Sequence, residues 1–445
     1  MNILNKIIKY STLLFVFLIP WQARLILTAG SINNGYWEYG TQSLYATEIL
    51  LLVLLIALIS KYVIAIKRNK PNFSIKNLNS LVGLIAVVIV FSGLSILWSI
   101  DKSVALEHWV VLIEAGVVFL ILYSRAISFD NFLWTIIASG FFQAVLAITQ
   151  SFLQFVPSST ILGIATQSAD ILGASVVETD SSRWLRAYGS FPHPNILGGW
   201  LVISLMSLIT VSRSLVVESV GKKDRTTKMR FAIRYLVFGV LIFGLLVTFS
   251  RSAWLSALVG IGIFVALSFK DKIFKPLVFK LTGILVLVVI LFGFMYPDQF
   301  SSRINNQNRL EVKSNTERAD SLAQGWNIIK QNRFLGTGIG NYGLSVHKNI
   351  DSTQPAYYYQ PVHNVFLLIW AELGVFGLIG ILILINFVLV IFRKKRDFVS
   401  LIVLLPLVVI MLFDHYFWTL YSGIMIFSIY LSIFLLVLGK KDRIT

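Results

Sequence analysis

The 445-residue sequence contains no cysteine. Disulfides, thiol nucleophiles and thiolate metal sites are therefore excluded, although the compartment is not identified. Charge is scarce too, at 13% of residues against 56% apolar. A soluble chain of this length does not carry so much apolar residue in such long runs. Neither an Asp-x-Asp nor a His-x-x-x-His pair occurs, so spacing lends a metal site little support. The glycine run at 336–340 lacks the Lys-Ser/Thr ending of a nucleotide-binding loop and reads as turn geometry. There is no internal repeat, no low-complexity tract, and no series of short alternating segments of the kind a membrane β-barrel shows.

What is present is a succession of apolar stretches of roughly 20 residues, the length that crosses a hydrocarbon core about 30 Å thick. They fall at 8–28, 44–66, 79–99, 104–124, 132–152, 194–212, 235–250, 252–269, 279–296, 362–392, 398–413 and 416–439. The expected fold is an all-α polytopic membrane protein, one integral-membrane domain over 1–445 with about twelve transmembrane helices, each satisfying its own backbone. A net charge of +17 suggests nucleic acid only until the charges are mapped. Lys67, Arg68, Lys70 and Lys76 form one basic loop. Residues 213–234, 270–280 and 393–396 form three more, and Lys440, Lys441 and Arg443 close the chain. These clusters follow every second span, as the positive-inside rule requires; Arg125, alone after the fourth span, is the weakest case.

With Lys6 and Lys9 at the start, both termini are expected in the cytoplasm and the protein in the cytoplasmic membrane, with lipid rather than nucleic acid as partner. Reading the first span as a signal peptide is disfavoured, because its removal would put the basic loops on the wrong side. Cysteines introduced at Asn306 and Lys223 would then report opposite faces.

Two segments, 151–193 and 297–361, are too long to be turns and are expected as extracytoplasmic loops that carry function. In the second, Ser314 and Glu317 read as a capping box, and Leu322, Trp326 and Ile329 share one face. An amphipathic helix near 315–331 on the membrane surface is expected there. The tenth span overshoots the bilayer, so it must tilt, bend near Gly374 and Gly377, or project outward with His363 at its tip.

Basic residues on the inferred outer face are mostly arginine, whereas those inside are mostly lysine. Lysine suffices for topology; arginine outside suggests bidentate recognition of phosphate or carboxylate. The plainer alternative is pairing with outer acids such as Glu311, Glu317 and Asp320. Arg251 breaks two apolar runs in Thr-Phe-Ser-Arg251-Ser-Ala-Trp-Leu. Either it is held inside the bundle, where it needs an anionic partner, or it marks a tight turn and snorkels to water. The stretch from Trp184 to Asn195, with Arg186, His193 and Pro194, precedes the sixth span. It reads as an anion site at a helix start or as an ordinary helix entry. His363 opens the tenth span beside Asn364. A neutral imidazole there suits a general base, though a lone histidine at a helix end is more often structural. Glu48, Glu114 and Glu372 lie in or near spans as proton relays or buried partners.

His363-Asn364, followed by nine residues, Gly374, two residues and Gly377, resembles the signature of lipopolysaccharide O-antigen ligases and protein O-oligosaccharyltransferases. Arg251-x-x-x-Leu255 is similar to a second short ligase motif. Thr-Glu-Arg318, Phe-Leu-Gly336-Thr-Gly-Ile-Gly-Asn-Tyr342 and Gly-Ser-Phe-Pro-His193-Pro-Asn195 resemble outer-loop segments of that superfamily. The likeness runs from about residue 183 to 380; Arg333 departs from it, where members often have proline. The resemblance implies an inverting glycosyltransferase that needs no metal or cofactor. Its donor would be a glycan on undecaprenyl pyrophosphate. Arg186 and Arg251 would hold the pyrophosphate, with Arg318 a third candidate. His363 would deprotonate the acceptor hydroxyl, and His193, Asn195 and Asn364 would line the substrate site. The acceptor (lipid A core, a growing glycan in a polymerase, or a protein serine) stays open. A transporter with anion-selecting arginines is the competing class, although the chain lacks the two related halves common in transporters.

Overall fold

The structure, a computed structural model, describes residues 2–67, 79–124, 126–180, 182–221, 224–305, 308–395 and 398–438. Arg68, Lys70, Lys76, Arg125, Arg396, Lys440, Lys441 and Arg443 of the charge map lie outside the described residues, as do the labelling positions Asn306 and Lys223. The helices are α1 (Asn2–Leu18), α2 (Ala46–Lys67), α3 (Asn79–Leu94), α4 (Lys102–Tyr123), α5 (Phe129–Leu153), α6 (Pro194–Glu218), α7 (Arg225–Leu246) and α8 (Arg251–Ser268). There follow α9 (Lys275–Met295), α10 (Pro297–Asn305), α11 (Arg309–Gln331), α12 (Tyr342–Asn349), α13 (Val365–Lys395), α14 (Leu401–Phe413), α15 (Tyr416–Thr419) and α16 (Tyr421–Leu438). Among the described residues, eight helices (α2, α4 to α9 and α13) are long and apolar enough to cross a membrane, and segments at α3, α14 and α16 are shorter apolar helices.

The first expected span is corrected. Helix α1 stops at Leu18, and Arg24–Thr28 is a strand paired antiparallel with Gln42–Tyr45. Pro20 explains the stop, since proline supplies no N–H and pushes the preceding residue out of helical geometry. Helix α6 is the core: its residues from Pro194 to Ser212 are all buried, and it packs on α5, α7 and α8. A helix enclosed on every side keeps an apolar surface all round, which is how its sequence reads.

The connections outside the bundle are tied to one another rather than loose. Trp21 Nε1 donates to the Ile161 carbonyl, Ser302 Oγ to the Glu178 carbonyl at 2.8 Å, and Asn33 Nδ2 to the Ser352 carbonyl at 2.8 Å. Helix α11 begins at Arg309, so Ser314 and Glu317 lie within it and form no capping box. Asn308 stands at the cap, but its amide donates instead to Glu178 O at 2.6 Å and to Ser302 Oγ at 2.8 Å. The buried face of α11 carries Gly325, Ile328 and Ile329, while Leu322 and Trp326 remain nearly half exposed.

Helix α13 is broken at Gly374, which takes φ 63° and ψ −159°. The glycine run docks against this break: Thr337 N donates to Ala371 O at 3.0 Å, Gly338 N to Glu372 O at 2.9 Å, and Val375 N to Arg333 O at 2.9 Å. Gly336, Gly338 and Gly340 all have positive φ, and a Cβ on Gly374 would stand 2.1 Å from the Phe334 carbonyl oxygen. Only glycine accepts both the left-handed backbone and that approach. Gly374 is thus a docking point for the loop.

Candidate active site

Most side chains of the site stand near the end of a helix or strand. Arg186 follows a short strand, Arg183–Leu185, paired with Val176–Glu178. It is only 9% exposed; its Nε donates to Thr248 O at 2.8 Å and its Nη2 to Asn195 Oδ1 at 2.6 Å. Thr248 belongs to the tight α7–α8 junction, where Phe249 takes φ 49°. Both partners of Arg186 are neutral. Burial pushes its guanidinium well below its ordinary range, and the charge of Arg303 adds to the effect.

Asn195 turns its other end outward: Nδ2 donates to Asp414 Oδ2 at 2.7 Å. The cap of α6 is therefore His193 rather than Asn195, because His193 Nδ1 accepts from Asn195 N at 3.1 Å. An accepting Nδ1 leaves the proton on Nε2, which faces Ser175 Oγ at 3.1 Å. Burial, reinforced by Arg186, lowers His193 to about 3, so its imidazole is neutral. The histidine ring already takes one amide of this helix start.

Asp414 sits between α14 and α15, 4% exposed. Its Oδ1 accepts from His415 N at 3.0 Å and lies 3.8 Å from His363 Nδ1, an ion-pair separation longer than a hydrogen bond. Burial works to raise the Asp414 carboxyl, but His363, with His415 and His193, holds it well below the usual carboxylate range. His415 is lowered to about 3, by burial and then by His363. Its Nδ1 meets Thr419 Oγ1 at 2.8 Å, and its ring lies 4.9 Å from that of His363. These groups line a cavity of about 190 Å³ together with Tyr39, Gln360 and Tyr416. Asn364 is committed elsewhere: its Oδ1 accepts from Leu367 N at 2.9 Å and its Nδ2 donates to Leu412 O at 3.2 Å.

The remaining arginines meet on Glu311, which is 2% exposed. Arg303 Nη1 lies 2.5 Å from its Oε1, and Arg251 Nη2 lies 3.2 Å from its Oε2. Arg251 also donates to Asn315 Oδ1 at 3.1 Å. Burial lowers Arg303 to about 10, with Arg251 and Arg318 adding to the shift against the pull of Glu311. Arg318, half-buried on α11, is felt at Arg186, His193, Arg303 and His415, so it faces the same region. Four guanidiniums thus share the region with the carboxylates of Glu311 and Asp414.

The structure brings Arg186, Asn195, His193 and His363 together through Asp414, and Arg251 with Arg303 onto Glu311, while Arg318 acts on the group only through its charge. The plainer alternative, an arginine paired with an acid, holds for Arg251 and Glu311. Glu372 is a buried partner: it accepts from Trp418 Nε1 at 2.7 Å and from Tyr342 N at 3.4 Å. Sequence reasoning missed Arg303 and Asp414. Asp414 had a signal, since it is an acid breaking two apolar runs, the same feature that singles out Arg251. Arg303 had none, because it lies in a polar helix and only its ion pair with Glu311 of α11 ties it to the site. The scant metal support from spacing is also revised: His363, Asp414 and His415 bring one ligand atom each within 4.8 Å of one another across a 50-residue gap in the chain.

No curated protein matches the chain. Residues 236–382 match the family model described as O-Antigen ligase, a segment running from α7 into α13 that includes Arg251, Arg303, Glu311, Arg318, the glycine run and His363. This segment, about a third of the chain, is similar to the O-antigen ligase superfamily.

Proposed function

We propose that the protein transfers a glycan from undecaprenyl pyrophosphate to an acceptor hydroxyl on the extracytoplasmic face of the cytoplasmic membrane. The observation that carries this reading is the bridge Arg186–Asn195–Asp414–His363. It connects the buried Arg186 guanidinium to a histidine-lined cavity through one amide and one carboxylate. A buried arginine bonded only to neutral groups favours an anion, and a diphosphate is the anion that bidentate guanidiniums match. Arg186, Arg251, Arg303 and Arg318 would hold the donor pyrophosphate.

Chemistry then follows from the geometry. His363 Nε2 accepts the acceptor's hydroxyl proton while Nδ1–H turns to Asp414, whose carboxylate stabilises the imidazolium that forms. The acceptor oxygen bonds to the anomeric carbon as the carbon–oxygen bond to the pyrophosphate breaks, with inversion. The departing undecaprenyl pyrophosphate carries the bonding pair and its charge falls on the arginines. No metal is assigned a role in this step. His193 and Asn195 position Arg186 and Asp414, and Asn364 caps the helix that carries His363.

A purified assay with a defined lipid-linked donor and acceptor tests this: His363→Ala should abolish transfer and leave donor binding nearly intact. Retention of most activity would move the base elsewhere, to Glu317 or Asp320 first. In a deletion strain, full-length lipid-linked polymer would accumulate if the protein is a ligase. Single repeat units capped on an acceptor would instead mark a polymerase.

A further inference from the structure

We propose that His363, Asp414 and His415 form a binding site for a late first-row divalent ion, Zn²⁺ foremost, whose occupation blocks the transfer. The site stands on geometry alone; its blocking role rests on the base function proposed for His363. Nδ1 of His363 is buried and makes no hydrogen bond. Asp414 Oδ1 lies 3.8 Å from it, and one ligand atom from each of the three residues falls within 4.8 Å of the others. Metal–ligand bonds of about 2.0–2.1 Å in a tetrahedral site set ligand atoms about 3.3 Å apart, so these side chains need close by only about 0.5–1.5 Å.

The donor set selects the metal. Two imidazoles and one carboxylate suit zinc and its neighbours, whereas Mg²⁺ and Ca²⁺ demand oxygen ligands. Outer partners already orient two of the three ligands. Asn195 Nδ2 holds Asp414 Oδ2 at 2.7 Å, and Thr419 Oγ1 holds His415 Nδ1 at 2.8 Å, which leaves Oδ1 and Nε2 for the ion. Tyr39 OH, 3.5 Å from that Nε2, is the group that yields its place. The cavity of about 190 Å³ gives room for a water as fourth ligand. Arg186, one amide away from Asp414, opposes a dication and holds the affinity below that of a structural zinc site.

Inhibition follows from the imidazole inventory. A neutral imidazole has one ring-nitrogen lone pair, so once Nδ1 of His363 coordinates, Nε2 carries the proton and no acceptor remains for the hydroxyl. The experiment titrates Co²⁺ into the purified full-length protein in detergent and follows the visible absorption of a tetrahedral cobalt site. A saturable 1:1 signal displaced by Zn²⁺ is expected, absent in Asp414→Asn and His415→Gln and weakened roughly 10–100-fold in Thr419→Val. Donor and acceptor are omitted, so this arm reads the metal site whether or not the protein transfers glycan. A second arm adds Zn²⁺ to the transfer assay, where loss of activity, restored by EDTA and not produced by Mg²⁺, is expected. No saturable signal on folded wild-type protein, or one that survives in His415→Gln, overturns the site. Saturation without inhibition overturns the blocking role. Should Asp414→Asn fail to fold, His415→Gln and Thr419→Val carry the test. Absence of metal-free transfer counts against the proposed function and leaves the metal arm standing.

Discussion

Glu311 holds two guanidiniums, and the consequence is specific to arginine. Arg251 reaches both Glu311 and Asn315 with one planar group, a geometry that a lysine ammonium copies poorly. Arg251→Lys should therefore leave the protein folded in the membrane while transfer falls sharply. Transfer by that variant near the wild-type rate would return Arg251 to the role of a turn marker. Asp414 offers a second residue-scale test. Asp414→Asn keeps size but removes the charge that meets the imidazolium, so turnover should drop roughly 100-fold or more with the donor KM little changed. A KM increase at unchanged turnover would make Asp414 a donor-site residue. His193 differs from His363: both its ring nitrogens are engaged, with Asn195 N and Ser175 Oγ. His193→Ala should be milder than His363→Ala in the same assay, since it costs a cap rather than a base. Equal losses would place both histidines in the chemistry.

Helix α13 cannot be described by its residues one at a time. It presents His363 just before its first turn and Glu372 two turns lower, then breaks at Gly374 where the glycine run lies against it. Glu372 ties the same loop to Trp418 on α15, the short helix that follows Asp414. The positions of His363 and Asp414 therefore depend on one docked loop. Gly374→Ala must adopt φ 63° and meet a carbonyl oxygen at 2.1 Å, so it should destabilise the protein by about 1–3 kcal/mol or more. Thermal unfolding in detergent checks this, and an unchanged midpoint would show that the break is not strained. The place of the bend was legible in the spacing of Gly374 and Gly377, but the loop partner was not, because backbone-to-backbone docking leaves no periodic trace. The start of α11 was misread for a related reason. Ser314 and Glu317 satisfy the capping pattern locally, yet Asn308 is held by Glu178, far away in the chain, and the helix extends back to Arg309.

At the scale of the whole molecule the proposal requires that α10 to α12 and the strand ribbons lie outside, opposite the basic loops. Cysteines at Lys313 and Lys272, both exposed, test this in a chain that has no other cysteine. In intact cells an impermeant thiol reagent should label Lys313→Cys and spare Lys272→Cys; equal labelling would overturn the sidedness. The sequence by itself determined the helical, membrane-spanning class and the place of most apolar helices, the first span excepted, since a residue's transfer into lipid depends on its own side chain and its neighbours in one helix. It also marked Arg251, because a charge that interrupts two apolar runs is costly wherever it ends up, and Arg186, His193 and His363 as polar residues beside helix starts. Tertiary structure alone decided which of these meet. Asp414 joins His363 to Asn195 and Arg186, and Glu311 joins Arg251 to Arg303, through contacts between residues as many as 219 positions apart. Such pairings are set by the packing of helix ends, and no pattern along the chain encodes the partner of a buried charge.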